Sequence, residues 1–385
     1  MRNDLQNDIL TIYFEGELNS FNADNIEKEI KNDLEGKKFK SLVFDFSNLR
    51  YISSAGLRVI LKYKQLYNDV QVVEASLEVY DVLSMTGFTN IMEVKKAMKR
   101  LYVSGAEIVG DGFFSTVYRI DKDTIVKVFN RTSDPNQIER ELRLAKQAFV
   151  LGIPTAISYD IVKVDDKLGV RFEMLDCISL KNAFLQYPER YDELVDKYVS
   201  LLKNINQTDS NGMPGLPDMK EFFFRKLAAI KDILEPKYYD KAYKMLKGIE
   251  DRSTFIHGDC HFKNIMIQGD EFLLIDMDTL SHGHPMFELA LIRVPYVAFE
   301  EDCPGNNEQF LGVPAPFSKK LYEDVVTRYY GKNDQEIFDK LAILSCIHML
   351  WWNITNSPDY EPRFTGNKAR LYKLLDKYDD LMIGD

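Results

Sequence analysis

The chain has 385 residues, 45% hydrophobic and 28% charged, which is enough apolar material for more than one core. Its net charge of -11 argues against nucleic acid or an anionic membrane surface as the main partner. No run of about 18 apolar residues predicts a membrane span. The first residues carry no apolar signal region, and four scattered cysteines without a CxxC pair suit reduced thiols in the cytoplasm.

The first hundred residues alternate strands and helices. Residues 9–18 read as a strand, and 24–34 as a helix with Ile26, Ile30 and Leu34 on one face. Residues 40–46 form a buried strand. A second helix spans 54–67, with Ser53 or Ser54 as its N-cap. A strand at 69–73 and a short helix at 77–83, closed by Thr86-Gly87, complete the series. This order predicts an α/β sandwich on a mostly parallel sheet, over residues 1–97. The basic patch Lys95-Lys96-Ala97-Met98-Lys99-Arg100 begins a linker, placed at 98–104; a solvated helix end accounts for the patch as well.

Beyond it the pattern changes. Strands are expected at 106–110, 115–120 and 124–129, a helix at 137–150 stopped by Gly152 and Pro154, and strands at 157–164 and 168–174. The chain then reads as helical over 178–250, and again from Lys319 to the end. His348 falls on the largely apolar stripe Leu341, Leu344, Ile347, Trp351 and is expected as a packed core histidine. The result is an α+β bilobal domain, a smaller lobe at 105–175 and a helical lobe at 176–385.

Residues 257–264 carry the chemistry: His-Gly-Asp-Cys-His-Phe-Lys-Asn, followed by the apolar run 272–275 and Asp276. A carboxylate on a loop, a carboxamide five positions later and a second carboxylate after a buried strand are what phosphoryl transfer from a metal nucleotide requires. One carboxylate orients the acceptor hydroxyl and takes its proton; oxygen ligands hold the magnesium. His257, Asp259 and His261 could also be read as metal-hydrolase ligands, but that reading leaves two upstream features unexplained. These are the Gly110-Asp111-Gly112-Phe113-Phe114-Ser115 turn and Lys127, a lysine inside a strand, where an unpaired charge is costly.

Taken together, residues 103–385 resemble the aminoglycoside phosphotransferase and choline kinase branch of the protein-kinase-like fold, with His-Gly-Asp-x-x-x-x-Asn as its loop signature. The resemblance implies that Gly110, Gly112 and Ser115 cover the phosphates of ATP, with Ser115 where a third glycine is usual. It makes Lys127 the phosphate-gripping lysine, with Glu141 as its partner (Glu139 as the alternative). Glu173 and Leu175 become the hinge that meets adenine. It implies Asp259 as the catalytic carboxylate and Asn264 and Asp276 as ligands of Mg2+. His257 is expected to brace the loop, and Glu288 to be structural. Asp278 stays open as a second metal ligand or a surface acid, and Lys263 as a contact to phosphate or acceptor or a solvent-facing residue. Glu300, Glu301 and Asp302 are candidates to meet a cationic acceptor, or else a solvated acidic loop.

The segment 45–61, with Ser53-Ser54-Ala55-Gly56-Leu57 at its centre, resembles the signature of STAS domains, the family of bacterial anti-sigma-factor antagonists. That resemblance implies a protein partner and makes Ser54 a possible phosphosite at a helix start, although Ser53 stands where Asp is common. Plain N-caps account for both serines too. The expectation is a cytoplasmic bacterial ATP-dependent phosphotransferase acting on a small-molecule hydroxyl, regulated or targeted by the STAS domain. A kinase acting on a STAS-domain serine and a non-catalytic nucleotide-binding protein are the alternatives.

Overall fold

The computed structural model describes residues 2–111, 115–130, 135–211, 213, 215–356 and 361–378. It divides into two compact units, residues 1–102 with 161–166, and residues 103–160 with 167–385.

The first unit is built on a five-stranded sheet. Ile9–Leu18, Ser41–Ile52, Val70–Ala75 and Glu93–Lys96 run parallel in that order, as the strand–helix alternation predicts. Ahead of them Arg2–Gln6 pairs antiparallel with Ile9–Leu18, a strand the sequence reading left out because its side chains are largely exposed. Helices Ala23–Leu34, Ser54–Leu66 and Leu77–Met85 follow the expected strands. Leu10, Ile12, Phe14, Phe44, Phe46, Ile60 and Val72 form the heart of the core. The basic patch is extended rather than helical: Glu93–Lys96 and Lys99–Leu101 are strands. A short charged segment at a sheet edge needs no buried face, so helical periodicity was never demanded of it.

The second unit opens with the antiparallel strands Ile108–Asp111, Ser115–Arg119, Thr124–Phe129 and Lys167–Glu173. Lys127 stands between Val117 and Val170 in register, in the interior of this sheet. Helix Pro135–Val150 follows the third strand. The rest is largely helical, around a core that includes Tyr198, Phe223, Phe255, Phe287 and Leu344. Helix Gln335–Asn356 is long and apolar enough to cross a membrane, but two-thirds of its apolar window (67%) is buried inside the protein, as in a core helix. His348 on that helix is packed beneath Trp352 and hydrogen-bonds Lys226 at 2.7 Å, as expected of a core position.

Two small antiparallel pairs interrupt the helices. Phe255–Ile256 pairs with Ser281–His282, and the hairpin Ile265–Gln268/Glu271–Leu274 lies between them in sequence. Residues 257–264 bridge these two pairs, so both ends of the loop are anchored by backbone ladders.

Candidate active site

The loop begins where strand Phe255–Ile256 ends. Its first two amides, of His257 and Gly258, donate to the carboxylate of Glu288, at 2.5 and 3.1 Å. Glu288 lies in the first turn of helix Pro285–Arg293 and is fully buried. Burial pushes its carboxyl up to about 7, and the backbone donors pull in the opposite direction. Gly258 has φ +85 and faces Thr279, where a Cβ would come within 3.0 Å of the Thr279 carbonyl; this position needs glycine. Thr279 Oγ1 closes the turn by donating to the His257 carbonyl at 2.6 Å.

His257 braces the interior. Its Nε2 donates to the Ile275 carbonyl at 3.1 Å, which leaves Nδ1 to accept the Asp259 amide at 3.3 Å. Burial lowers its pKa to about 4, so the ring is neutral and this tautomer is self-consistent. Asn264 Nδ2 donates both to the Asp259 carbonyl and to Asp259 Oδ2, each at 3.0 Å. The amide nitrogen is thereby turned to the loop, and the carbonyl oxygen is the atom Asn264 has to offer a hard cation.

Three carboxylates gather here. Asp276 follows the apolar strand in a left-handed conformation, φ +65, which points it out of the ladder. It forms an ion pair with Lys127, a residue 149 positions earlier in the chain. Helix Pro135–Val150 packs on the Met277–Thr279 turn, so the charge of Glu141 is felt at Asp278. Burial, Asp276 and Glu141 raise the Asp278 carboxyl to about 7, opposed by Lys127. Asp259 is pushed up to about 8 by burial and by Asp276 and Asp278, although its side chain keeps 44% exposure. Carboxylates crowded in this way repel one another, and a divalent cation bound by oxygen relieves that repulsion. The donor set of Asp276, Asp278 and Asn264 fits magnesium, which takes few protein ligands and keeps water or phosphate oxygens for the rest. Among the described residues no group of three or more His, Cys, Asp or Glu forms a cage that would hold a metal by itself.

The remaining expected positions fall as follows. Gly110 and Ser115 lie on the hairpin strands, with Gly110 opposite Val117; Gly112 lies outside the described residues. Glu173 ends its strand, its amide donating to Ile157 O at 2.9 Å and its carboxylate accepting the Ile157 amide at 2.6 Å. The run expected as the hinge continues through Met174, whose amide donates to Asp123 O at 2.8 Å, to Leu175. In the first unit Ser54 is the exposed first residue of helix Ser54–Leu66, and Ser53 is its N-cap. Gly56 packs so closely on Leu18 that a Cβ would come within 2.6 Å of the Leu18 carbonyl.

Several residues that shape the site carry no sequence signal of that role. Tyr296, in a single π-helical turn at Val294–Ala298, accepts the Phe262 amide at 2.8 Å. Asn206 Nδ2 donates to the Phe255 carbonyl at 3.0 Å. His261 is buried, its Nε2 3.4 Å from Asp259 Oδ1, and burial lowers its pKa to about 3. The acids 300–302 are engaged: Glu300 accepts the Gly305 amide at 2.7 Å, Glu301 pairs with Arg293 at 2.7 Å, and Asp302 accepts from Asn367 at 2.8 Å.

A strand lysine paired with a carboxylate beside an Asp–Asn loop, under an antiparallel sheet and over a helical lobe, defines a kinase-like phosphotransferase. Residues 105–308 match the phosphotransferase enzyme family, and the chain belongs to it. Residues 2–101 match the STAS domain. The N-terminal part is similar to a protein described as an anti-sigma factor antagonist, BtrV of Bordetella bronchiseptica. The two are 33% identical over 90 residues, 22% of this chain and 77% of that protein. Among solved structures, a choline/ethanolamine kinase family protein from Mesorhizobium loti aligns with a TM-score of 0.46 at 12% identity, over 70% of this chain and 88% of that one. The ADP-bound aminoglycoside phosphotransferase APH(2'')-Ib aligns with a TM-score of 0.45 at 15% identity, over 72% and 94%.

Proposed function

We propose that this protein transfers the γ-phosphate of ATP, held with Mg2+, to a hydroxyl group of a small molecule, and that the STAS domain regulates it or binds a protein partner. The observation that carries the reading is the meeting of Lys127 with Asp276 beside the Asp259–Asn264 pair. Lys127 suits the nucleotide phosphates, and Asp276 and Asn264, with Asp278 beside them, suit the metal. Bound magnesium would neutralise phosphate charge there. Asp259 orients the acceptor hydroxyl and takes its proton. Burial, Asp276 and Asp278 raise its proton affinity, and a cation held by Asp276 and Asp278 would lower it again, leaving the carboxylate free to accept the proton. Gly110, Gly112 and Ser115 would cover the phosphates, and Glu173 and Leu175 would flank the base. The four cysteines are all free, which suits a reducing, cytoplasmic setting.

The test is ADP release from Mg-ATP across an acceptor panel, with Asp259→Asn as the control. Turnover that depends on acceptor and falls at least a hundredfold in Asp259→Asn supports the reading. Turnover unchanged in that variant removes it. A second reading, phosphorylation of a STAS-domain serine, is favoured by the exposure of Ser54 at a helix start. Phosphosite mapping after incubation with Mg-ATP decides it; absence of phosphate on Ser54, in cis and in trans, removes it.

A further inference from the structure

Two ammonium groups beside the loop 257–264 have no use in the chemistry described so far. Lys263 precedes Asn264 in the loop itself. Its Nζ donates to the Phe310 carbonyl at 2.9 Å and lies 4.7 Å from the centroid of the Phe310 ring. Lys181 reaches the same turn from another part of the chain. It follows strand Ile178–Ser179, which pairs with Ile265–Gln268, and its amide donates to the Phe262 carbonyl at 3.2 Å. Its Nζ fills the space that a side chain at Gly312 would take. Residues 310–312 therefore draw both ammoniums to one place. Phe310 also links them to the candidate catalytic carboxylate: its ring stands edge-on to His261 with centroids 5.4 Å apart, and His261 Nε2 lies 3.4 Å from Asp259 Oδ1.

Among the described residues neither lysine is in an ion pair, in a chain where acidic residues outnumber basic ones 60 to 49. Neither lines the neighbouring cavity of about 340 Å³ on whose wall Asp302 stands. A single exposed lysine is satisfied by water. Here Lys181 is half-buried, and burial and then Lys181 lower the Lys263 pKa, opposed by Asp259. Two like charges held together repel, and an anion bound between them relieves that cost, as a cation does for the carboxylates of the site. Each ammonium offers up to three donors on a flexible stem, which suits the oxygens of a carboxylate or a phosphate.

We propose that Lys181 and Lys263 form an anion subsite, and that the acceptor carries, besides its hydroxyl, a carboxylate or phosphate group held there. The proposal rests on the phosphotransfer reading. The anionic group takes no part in the bond changes; it fixes the hydroxyl beside Asp259. In the reaction a bond forms between the hydroxyl oxygen and the γ-phosphorus, and the bond from that phosphorus to the β–γ bridging oxygen breaks. Its electron pair leaves with ADP, and the hydroxyl proton passes to Asp259.

The test is ADP release from Mg-ATP by the full chain. Glycerate and gluconate (carboxylates) and glycerol 3-phosphate and glucose 6-phosphate (phosphates) are set against glycerol, glucose and choline. At least one anionic compound is expected to raise turnover about tenfold or more above its uncharged counterpart, and which of the two kinds acts names the group. For that compound Lys181→Met and Lys263→Met should each raise KM about tenfold, Lys263→Arg should recover most of the loss, and KM for ATP should stay within about twofold. Lys263 is exposed and Lys181 half-buried, so these variants should fold. A rise in KM for ATP instead assigns the lysines to the nucleotide and overturns the proposal, as does turnover with the uncharged or cationic compounds alone. Binding is read separately, with inorganic phosphate as the probe and Mg-AMPPNP filling the nucleotide site, γ position included. Phosphate at about 10 mM should raise the melting temperature by about 2 °C, and the double variant K181M/K263M should lose that rise. No rise in the unaltered chain, or the same rise in the double variant, overturns the proposal even where no compound of the panel is turned over. If the subsite fails while ATP turnover still depends on Asp259, phosphotransfer stands. If ATP turnover ignores Asp259→Asn, the phosphotransfer reading itself falls.

Discussion

Two turns in this protein follow buried strands and lead to structure that differs in kind. At 53–56 the chain enters a helix through a serine cap, exposes Ser54, and packs Gly56 on Leu18. At 257–264 it gathers buried histidines, a carboxylate and a carboxamide, with Glu288 buried behind them. The first turn stores no electrostatic cost and shows its hydroxyl to solvent, which suits recognition or modification. The second holds several ionisable groups away from their ordinary protonation behaviour. That arrangement persists only where surrounding hydrogen bonds over-determine it, and it is typical of sites that do chemistry.

The contrast breaks most sharply at Asp259. Asp259→Asn should lower acceptor-dependent turnover by about 10²–10⁴-fold while leaving the melting temperature near its original value. Lys127→Ala should cost about 10²-fold or more, by removing the positive charge that the proposed reading assigns to the nucleotide phosphates. Mg-ATP should raise the melting temperature of the second unit, and Asp276→Asn should lose most of that rise; an undiminished rise would remove Asp276 as a metal ligand. Glu288→Gln retains the shape but weakens two charge-assisted bonds, at about 1–3 kcal/mol of stability in the second unit. In the first turn the prediction is purely steric. Gly56→Ala should destabilise the first unit by about 1–3 kcal/mol, read by thermal denaturation, and leave ATP turnover intact.

A separate effect is on the pH dependence of stability, and it distinguishes a buried lysine in the core from the ionisable groups of the site. Lys226 is 1% exposed, meets rings of Phe222, Phe223 and Trp351 at 4.0, 4.8 and 4.9 Å, and is lowered by burial to about 7. Between pH ~7 and the ordinary lysine value of about 10.4 the unfolded chain binds more protons there than the folded one. Stability therefore rises with pH across that window, by up to about 1.4 kcal/mol per unit from this group. His348, also held neutral by burial, adds a rise below its ordinary value. Lys226→Met should flatten the alkaline limb and leave turnover near its original value; an unchanged limb would show that Lys226 titrates normally.

Much of the fold was legible before any coordinates. Strand Ile9–Leu18 and helices Ala23–Leu34 and Ser54–Leu66 announce themselves because one face of each is buried, and a period of two or of three to four residues is then forced on the side chains. Arg2–Gln6 and Lys99–Leu101 were missed because exposed edge strands carry no such constraint. In the site, Asp259, Asn264 and Asp276 were visible as a spaced set. Tyr296 and Asn206, which hold the backbone of the 257–264 loop and of the strand before it, were not, because each reaches it from a helical segment distant in the chain and leaves no local pattern.

The sequence by itself determined the order of elements, the capped and glycine-dependent turns and the run of chemically able residues, since these depend on a residue and its near neighbours. Only the tertiary structure decided that Lys127 meets Asp276, that Glu288 grips the loop amides, and that the acids 300–302 are already engaged. Pairing and desolvation depend on groups far away in the chain, and those two quantities set the charge each site presents.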